Sequence, residues 1–181
     1  GSFTVGAATA YTVTEIGASA FDGYAAITEV TIPNSVKFIG DSAFKATGLL
    51  GTLTFVADSI CESIGVSAFE SSGFSSIVIP ATVKDIGNQA FYSISELTTV
   101  TFGGVVSECT AIGDYAFSQT FKGTGNNAIV IPASVKTIGA NAFEYTDTLS
   151  GVTFESGSLC ETIGNNAFSA SGINAIVIPA T

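Results

Sequence analysis

The sequence predicts a β-rich solenoid: a right-handed coil with one parallel β-sheet face and turns or short 3-10 segments opposite. Three observations carry that expectation. The string Ile-Gly-x-x-Ala-Phe occurs seven times, starting at Ile16, Ile39, Ile64, Ile86, Ile112, Ile138 and Ile163, at intervals of 22 to 26 residues. A period of this length marks an array in which each repeat is one coil stacked on its neighbours. Each copy is followed by a short alternating run: Val30-Thr31-Ile32, Leu53-Thr54-Phe55, Ile77-Val78-Ile79, Val100-Thr101-Phe102, Ile129-Val130-Ile131, Val152-Thr153-Phe154 and Ile176-Val177-Ile178. Outer positions are large and apolar and the middle one is Thr or Val, so two side chains point in and one points out. Finally, no segment holds a 3.6-residue apolar stripe, which argues against long helices.

Taken in order, each coil is a strand, a corner and a turn. Parallel strands about 4.8 Å apart would make seven coils a rod on the order of 30 Å long. The Ile-Gly-x-x-Ala-Phe segment is expected as a turn or short 3-10 piece on the opposite wall. A finer order of two coils is also visible. Proline follows the strand at Pro33, Pro80, Pro132 and Pro179, whereas the intervening strands end in Phe55, Phe102 and Phe154 and lead to Cys61, Cys109 and Cys160. Proline ends ladder pairing on one side and so marks the corner of the coil. The unit is then a duplicated pair of coils, about 48 residues long.

The alternation of Ile-Pro-x-Ser/Thr-Val-x-x-Ile-Gly-x-x-Ala-Phe with Val-Thr-Phe…Ile-Gly-x-x-Ala-Phe resembles the BspA-like leucine-rich repeat family, over about residues 11–181. The resemblance implies a repeat segment of a surface protein used in adhesion and in binding host proteins. One position departs from the family pattern. Where Cys commonly stands three residues after the Phe, this chain has Tyr24, Thr47, Ser72, Ile94, Thr120, Thr146 and Ser171, so no thiol function carries over there.

Composition excludes several classes of function. The chain has 181 residues, 5 Lys+Arg against 15 Asp+Glu, no His, and a net charge of −10. Without His the commonest general base and metal ligand is missing; all five cations are Lys, so bidentate guanidinium clamps are missing too. Nucleic acid and anionic membrane surfaces need clustered basic residues. No apolar run approaches the roughly 18 residues that span a bilayer. Hydrophobic residues make up 46% and charged ones 11%, a balance opposite to that of disordered chains. Gly1-Ser2-Phe3-Thr4 lacks the basic and apolar blocks of a signal peptide. No Asn-x-Ser/Thr sequon is present, so N-glycosylation is not expected.

The remaining motifs read as architecture. Cys61, Cys109 and Cys160 stand three residues before the repeated Ile, a slot filled by Val36, Val83 and Val135 in the other coils. A slot that takes Cys or Val is a small core position. Two coils separate successive cysteines by about 10 Å, too far for a disulfide. Phe21, Phe44, Phe69, Phe91, Phe117, Phe143 and Phe168 form a core column. The Gly after each Ile is expected to serve a turn, through positive φ or close backbone approach, rather than a phosphate cradle, which would occur once. Carboxylates fall at scattered phases and read as solvated surface; Glu62 and Glu161 lie four coils apart and cannot act together.

The outward strand face is the most informative surface. Its members are Glu29/Thr31, Thr52/Thr54, Ser76/Val78, Thr99/Thr101, Ala128/Val130, Gly151/Thr153 and Ala175/Val177. Nearly all are small and only Glu29 is charged, a composition that either suits a sheet or marks a contact surface. The candidate partner-binding face is therefore Glu29, Thr31, Thr52, Thr54, Ser76, Val78, Thr99, Thr101, Ala128, Val130, Thr153 and Val177. Residues 1–181 are expected to form a single solenoid domain of about seven coils. Pro179-Ala180-Thr181 stop one residue short of the next Val slot, so a longer array is expected. The expected function is non-enzymatic: a protein-binding or adhesion module, cell-surface or secreted by resemblance, with no cofactor. Its partner is a host or neighbouring-cell protein, or the chain itself if the segment builds a self-associating structure.

Overall fold

A computed structural model describes residues 2–4, 12–124 and 127–179. Ala180 and Thr181, where the expected array would continue, lie outside the described residues. The chain winds as a parallel β-solenoid of about seven turns, with no helix among the described residues. One wall carries the long strands Glu29–Ile32, Thr52–Phe55, Ser76–Ile79, Thr99–Phe102, Asn127–Ile131 and Leu149–Phe154, and then Ala175–Ile176. Burial alternates in the earlier strands as the period-two pattern requires, and Ser76–Ile79 reads exposed, buried, exposed, buried; in the last coil Ala175, Ile176 and Ile178 are all exposed. Ser2–Thr4 adds one further rung, pairing in parallel with Glu29–Ile32. No Ile-Gly-x-x-Ala-Phe precedes that rung, so the repeat did not mark it.

The opposite wall differs from the expectation of turns or 3-10 pieces alone. Seven two-residue strands, from Glu15–Ile16 to Thr162–Ile163, form one continuous parallel ladder. The repeated Ile is the second residue of each. The next residue continues the pattern, because the Gly N–H donates to the Ile carbonyl of the preceding coil at 2.8–2.9 Å. Only then does the chain turn. Each turn holds two residues in the left-handed region, two positions after the Gly (Ser42, φ 55°; Gln89, φ 58°) and two after the Phe (Ala46, φ 56°; Ser93, φ 57°). None of the repeated Gly residues is left-handed; from Gly40 onward they serve close approach, with a Cβ on Gly87 falling 2.6 Å from the Gly65 carbonyl carbon.

Left-handed backbone costs an L-residue about 1–2 kcal/mol, partly offset by the entropy that Gly loses on folding. Ala46 is exposed, so Ala46→Gly should stabilise the fold by about 0.5–1 kcal/mol. Urea unfolding of the variant checks this, and a midpoint that falls would reject it.

Between the walls the core is a column of rings. Phe21, Phe44, Phe69, Phe91, Phe117, Phe143 and Phe168 stack face to face with centroids 4.9–5.5 Å apart, close to the spacing of one coil per strand. Phe74 meets Phe69 and Phe91 edge-on. Thr47, Thr120 and Thr146 occupy the slot where the family commonly has Cys; each hydroxyl donates to the Phe carbonyl three residues before it. That bond satisfies a buried polar group within its own coil.

The duplicated pair of coils is visible as a break in the long wall. Strands Glu29–Ile32 and Thr52–Phe55 pair, as do Ser76–Ile79 with Thr99–Phe102 and Asn127–Ile131 with Leu149–Phe154. No ladder joins Thr52–Phe55 to Ser76–Ile79, or Thr99–Phe102 to Asn127–Ile131. Each break falls at a proline corner, which removes one rung but does not by itself abolish pairing, since Ser2–Thr4 pairs with the strand before Pro33 and Leu149–Phe154 with the strand before Pro179. Within a pair, the residue after the Phe donates back: Val56 N–H to Ile32 at 2.9 Å, Gly103 to Ile79 at 2.8 Å and Glu155 to Ile131 at 3.0 Å. Between pairs the same position is Pro80, Pro132 or Pro179, which has no N–H. Among the described residues no backbone donor reaches the Phe55, Phe102 or Phe154 carbonyl. Among the described residues the long wall is thus three hydrogen-bonded blocks separated by two seams, with Ala175–Ile176 paired to Leu149–Phe154 inside the third block.

Candidate protein-binding face

The long strands bring the predicted face together in register. Glu29 lies opposite Thr52 and Thr31 opposite Thr54. Ser76 faces Thr99 and Val78 faces Thr101, while Ala128 faces Gly151 and Val130 faces Thr153. Thr31 is half-buried and the other predicted members are exposed. The face is not one unbroken ladder, however: two seams cut it, between Thr54 and Val78 and between Thr101 and Val130. A groove of about 570 Å³ opens at the first cut, between Gly51–Phe55 and Ser75–Val78.

Charge is displaced from this face to other parts of the coil. Lys37 and Lys84, on the coils before and after, approach Glu62 at 3.7 and 3.1 Å. The Lys84 ammonium beside it holds the Glu62 carboxyl below the usual range. Lys45 pairs with Glu70 at 3.0 Å. Exposed pairs of this kind add little stability, and none of them lies on the strand face, where Glu29 stands as the one carboxylate.

 The strand face therefore presents small side chains, with a single negative charge at one end.

The other sequence-marked residues are structural. Asp41, Asn88 and Asp114 accept hydrogen bonds through Oδ1 from the backbone N–H of Val66, Asp114 and Ala140 in the next coil, at 2.7–2.9 Å. These side-chain oxygens, two from carboxylates and one from an amide, clip coil to coil. No group of three or more His, Cys, Asp or Glu that could hold a metal occurs among the described residues. Cys61 and Cys109 are buried and Cys160 is half-buried, all three as free thiols. Burial pushes the Cys61 and Cys109 thiols up from 9.0 to about 12 and raises Cys160 as well.

A raised thiol pKa has a defined sign in stability. The folded state keeps Cys61 and Cys109 protonated where the unfolded chain ionises them, so unfolding releases protons above pH 9. Their contribution is complete below the unfolded value of 9.0 and is lost as pH rises towards about 12. Chemical denaturation of the parent and of Cys61→Ala/Cys109→Ala should show a shallower alkaline decline in the variant; identical slopes would reject the assignment. At pH 8 a thiol reagent should reach Cys160 first.

Sequence reasoning left out one group of exposed side chains. Val56, Ile60, Val105, Val106 and Leu159 stand out from the loops that follow Phe55, Phe102 and Phe154, and Val105 is fully exposed. The available signal was apolar residues in corners that solvent would ordinarily fill with polar ones.

The comparisons with known proteins agree with this architecture. The family model for the BspA-type leucine-rich repeat region matches residues 8–121 and 118–181, in six copies. The chain belongs to the BspA-type leucine-rich repeat family. Its fold is similar to that of the pneumococcal vaccine antigen PcpA, with 30% identity and a TM-score of 0.75 over 87% of this chain and 41% of that one. A leucine-rich cell surface protein from Faecalibacterium prausnitzii is 26% identical, with a TM-score of 0.65 over 99% of this chain and 41% of the other. A leucine-rich repeat protein from Bacteroides ovatus, at 24% identity and a TM-score of 0.66 over 98% and 51%, shares the fold. This chain thus spans between two fifths and about half of the length of these structures. No curated protein matches its sequence. No helix among the described residues is long and apolar enough to cross a membrane.

Proposed function

We propose that this BspA-type repeat segment is a non-enzymatic protein-binding or adhesion module of a cell-surface or secreted protein, and that its partner surface is the outer face of the long strands. The observation that carries this reading is the face itself: rows of exposed small side chains in register, with Glu29 as the one charged member. Solvent alone favours charge on exposed strands, whereas a face kept small and nearly neutral lets a partner approach the sheet closely. The similarity to a pneumococcal vaccine antigen and to a bacterial cell surface protein supports placement outside the cell.

Light scattering after size exclusion, across a hundredfold range of concentration, tests the reading. A constant mass near 18.3 kDa leaves the strand face free for a foreign protein. A mass that climbs with concentration makes the chain its own partner and moves the assignment to structural assembly.

A further inference from the structure

The wall of turns divides into two stretches of different chemistry. In the coils of Phe44 and Phe69 it carries the ion pair of Lys45 and Glu70, 3.0 Å apart. In the next three coils it carries Tyr92, Tyr115 and Tyr145, with Gln119, Asn141 and Glu144 among them. Three of the five tyrosines thus stand on consecutive coils, and no lysine occurs in 88–93, 114–119 or 140–145. Gln119 joins them. Its Nε2 donates to the Tyr92 hydroxyl of the preceding coil at 2.7 Å, and its backbone N–H donates at 2.9 Å to the carbonyl of Glu144, the residue before Tyr145. Tyr92 is half-buried, whereas Tyr115 and Tyr145 are 39% and 48% exposed. Stability does not account for the two exposed rings. Both stand on left-handed backbone (φ 56° and 54°), where a bulky residue is an outlier. Asn141 and Asn166 fill the turn position equivalent to Tyr115 in the following coils, and Asn tolerates that conformation at lower cost.

We infer that this patch of rings and amides binds a neutral oligosaccharide lying along the solenoid axis, one sugar to a coil. The inference goes beyond the strand-face reading, because it names another wall and another class of ligand. An aromatic face carries negative charge density, which attracts the polarised C–H groups on the flat side of a pyranose. Hydroxyl groups around the sugar need both donors and acceptors, and the patch holds both: Glu144 accepts, while Gln119 and Asn141 do either. The Tyr92 hydroxyl already accepts from Gln119 and keeps its own proton to donate. Without a lysine the patch offers nothing to an anionic ligand. Spacing agrees with a glycan. Buried rings give the step between these coils, 4.9 Å from Phe91 to Phe117 and 5.3 Å from Phe117 to Phe143, close to the advance per sugar of an extended β-1,4-linked chain. Three coils take three sugars. On one side the patch ends at the Lys45–Glu70 pair; on the other it ends at Ser169 and Ala170, in the coil to which the Tyr145 N–H donates.

The test is titration calorimetry with four β-1,4-linked tetrasaccharides, of glucose, xylose, mannose and N-acetylglucosamine. Saturable binding of at least one is expected, with the matching disaccharide at least tenfold weaker because it reaches only two coils. Tyr115→Asn with Tyr145→Asn should remove at least tenfold of that affinity. Asn tolerates the left-handed backbone, so this variant should unfold in urea no earlier than the parent and loses only the rings. Tyr115→Phe with Tyr145→Phe keeps the rings and should bind within threefold of the parent. Tyr24→Ala removes a tyrosine that is 57% exposed on the first coil and should leave binding unchanged. No saturable binding of any tetrasaccharide, equal affinity for disaccharide and tetrasaccharide, or equal losses in the Asn and Phe variants would each overturn the proposal. Saturable binding of a decaproline peptide, lost in the Asn variant and with no sugar bound, would make the patch a peptide site and overturn it as well. These variants leave every strand-face residue in place, so failure here leaves the strand-face reading standing.

Discussion

Phe91→Ala should cost about 3–5 kcal/mol of stability, the range of central aromatic truncations. The Phe91 ring is fully buried and lies between Phe69 and Phe117, with centroids at 5.5 and 4.9 Å. Phe74 covers its edge at 6.5 Å. Removing the ring therefore leaves a void bounded above and below by aromatic faces that are themselves fixed by further rings. Collapse into that void would tilt the column, and neighbouring coils are pinned by the continuous ladder of short strands. Solvent transfer, residual cavity and lost stacking all act in the same direction. Equilibrium unfolding in urea measures the sum, and a loss below about 1 kcal/mol would place Phe91 outside the core.

A single methyl group should do comparable damage on the opposite wall. A Cβ on Gly87 would fall 2.6 Å from the Gly65 carbonyl carbon and 2.7 Å from the Val66 nitrogen. Both atoms are backbone in the preceding coil, so no side chain can rotate away. The coils would have to part, and parting stretches the Gly87 N–H bond to Ile64, 2.8 Å long in the parent. Overpacking costs typically 1–3 kcal/mol, and a clash with backbone on a stacked ladder belongs at the upper end, about 3 kcal/mol. Gly51→Ala supplies the contrast. Its Cβ would meet nothing closer than the Thr28 carbonyl oxygen at 3.8 Å, and a change of about 0.5 kcal/mol or less is expected. Parent and both variants, unfolded side by side, decide the matter: equal costs would sink the argument from close approach.

Much of this architecture was legible because the repeat reports its own register. Ile, Ala and Phe recur at one phase in all seven copies, and only a stacked array makes that useful. The alternation Val-Thr-Phe fixes which strand residues face out, so Thr54, Val78 and Thr101 could be placed on the surface from sequence. The substitution of Val36 by Cys61 in the next coil identified the thiol as core packing, and both side chains are buried. Other features left weaker traces. The left-handed turn residues are Ser42, Gln89, Tyr115 and Asn141, types with no shared backbone preference, so tertiary stacking selects that conformation rather than composition. The short-strand ladder uses only two residues per coil, fewer than period-two patterning can reveal. The proline alternation was visible, but its effect depends on which N–H would have faced the Phe carbonyl, and that requires the register.

The seams also determine how the rod deforms. On one side a seven-stranded ladder runs through the solenoid without interruption; on the other, the hydrogen-bonded wall is divided wherever proline stands opposite Phe55 or Phe102. Flexing that spreads the long-strand side breaks no wall bond at these two divisions, whereas flexing that spreads the short-strand side must stretch the Gly-to-Ile bonds of every coil. Stiffness is thus directional, as in a hinged strip with a continuous backing. Curvature can be adjusted in steps of two coils, on the face that carries the small side chains, while the backing holds its length.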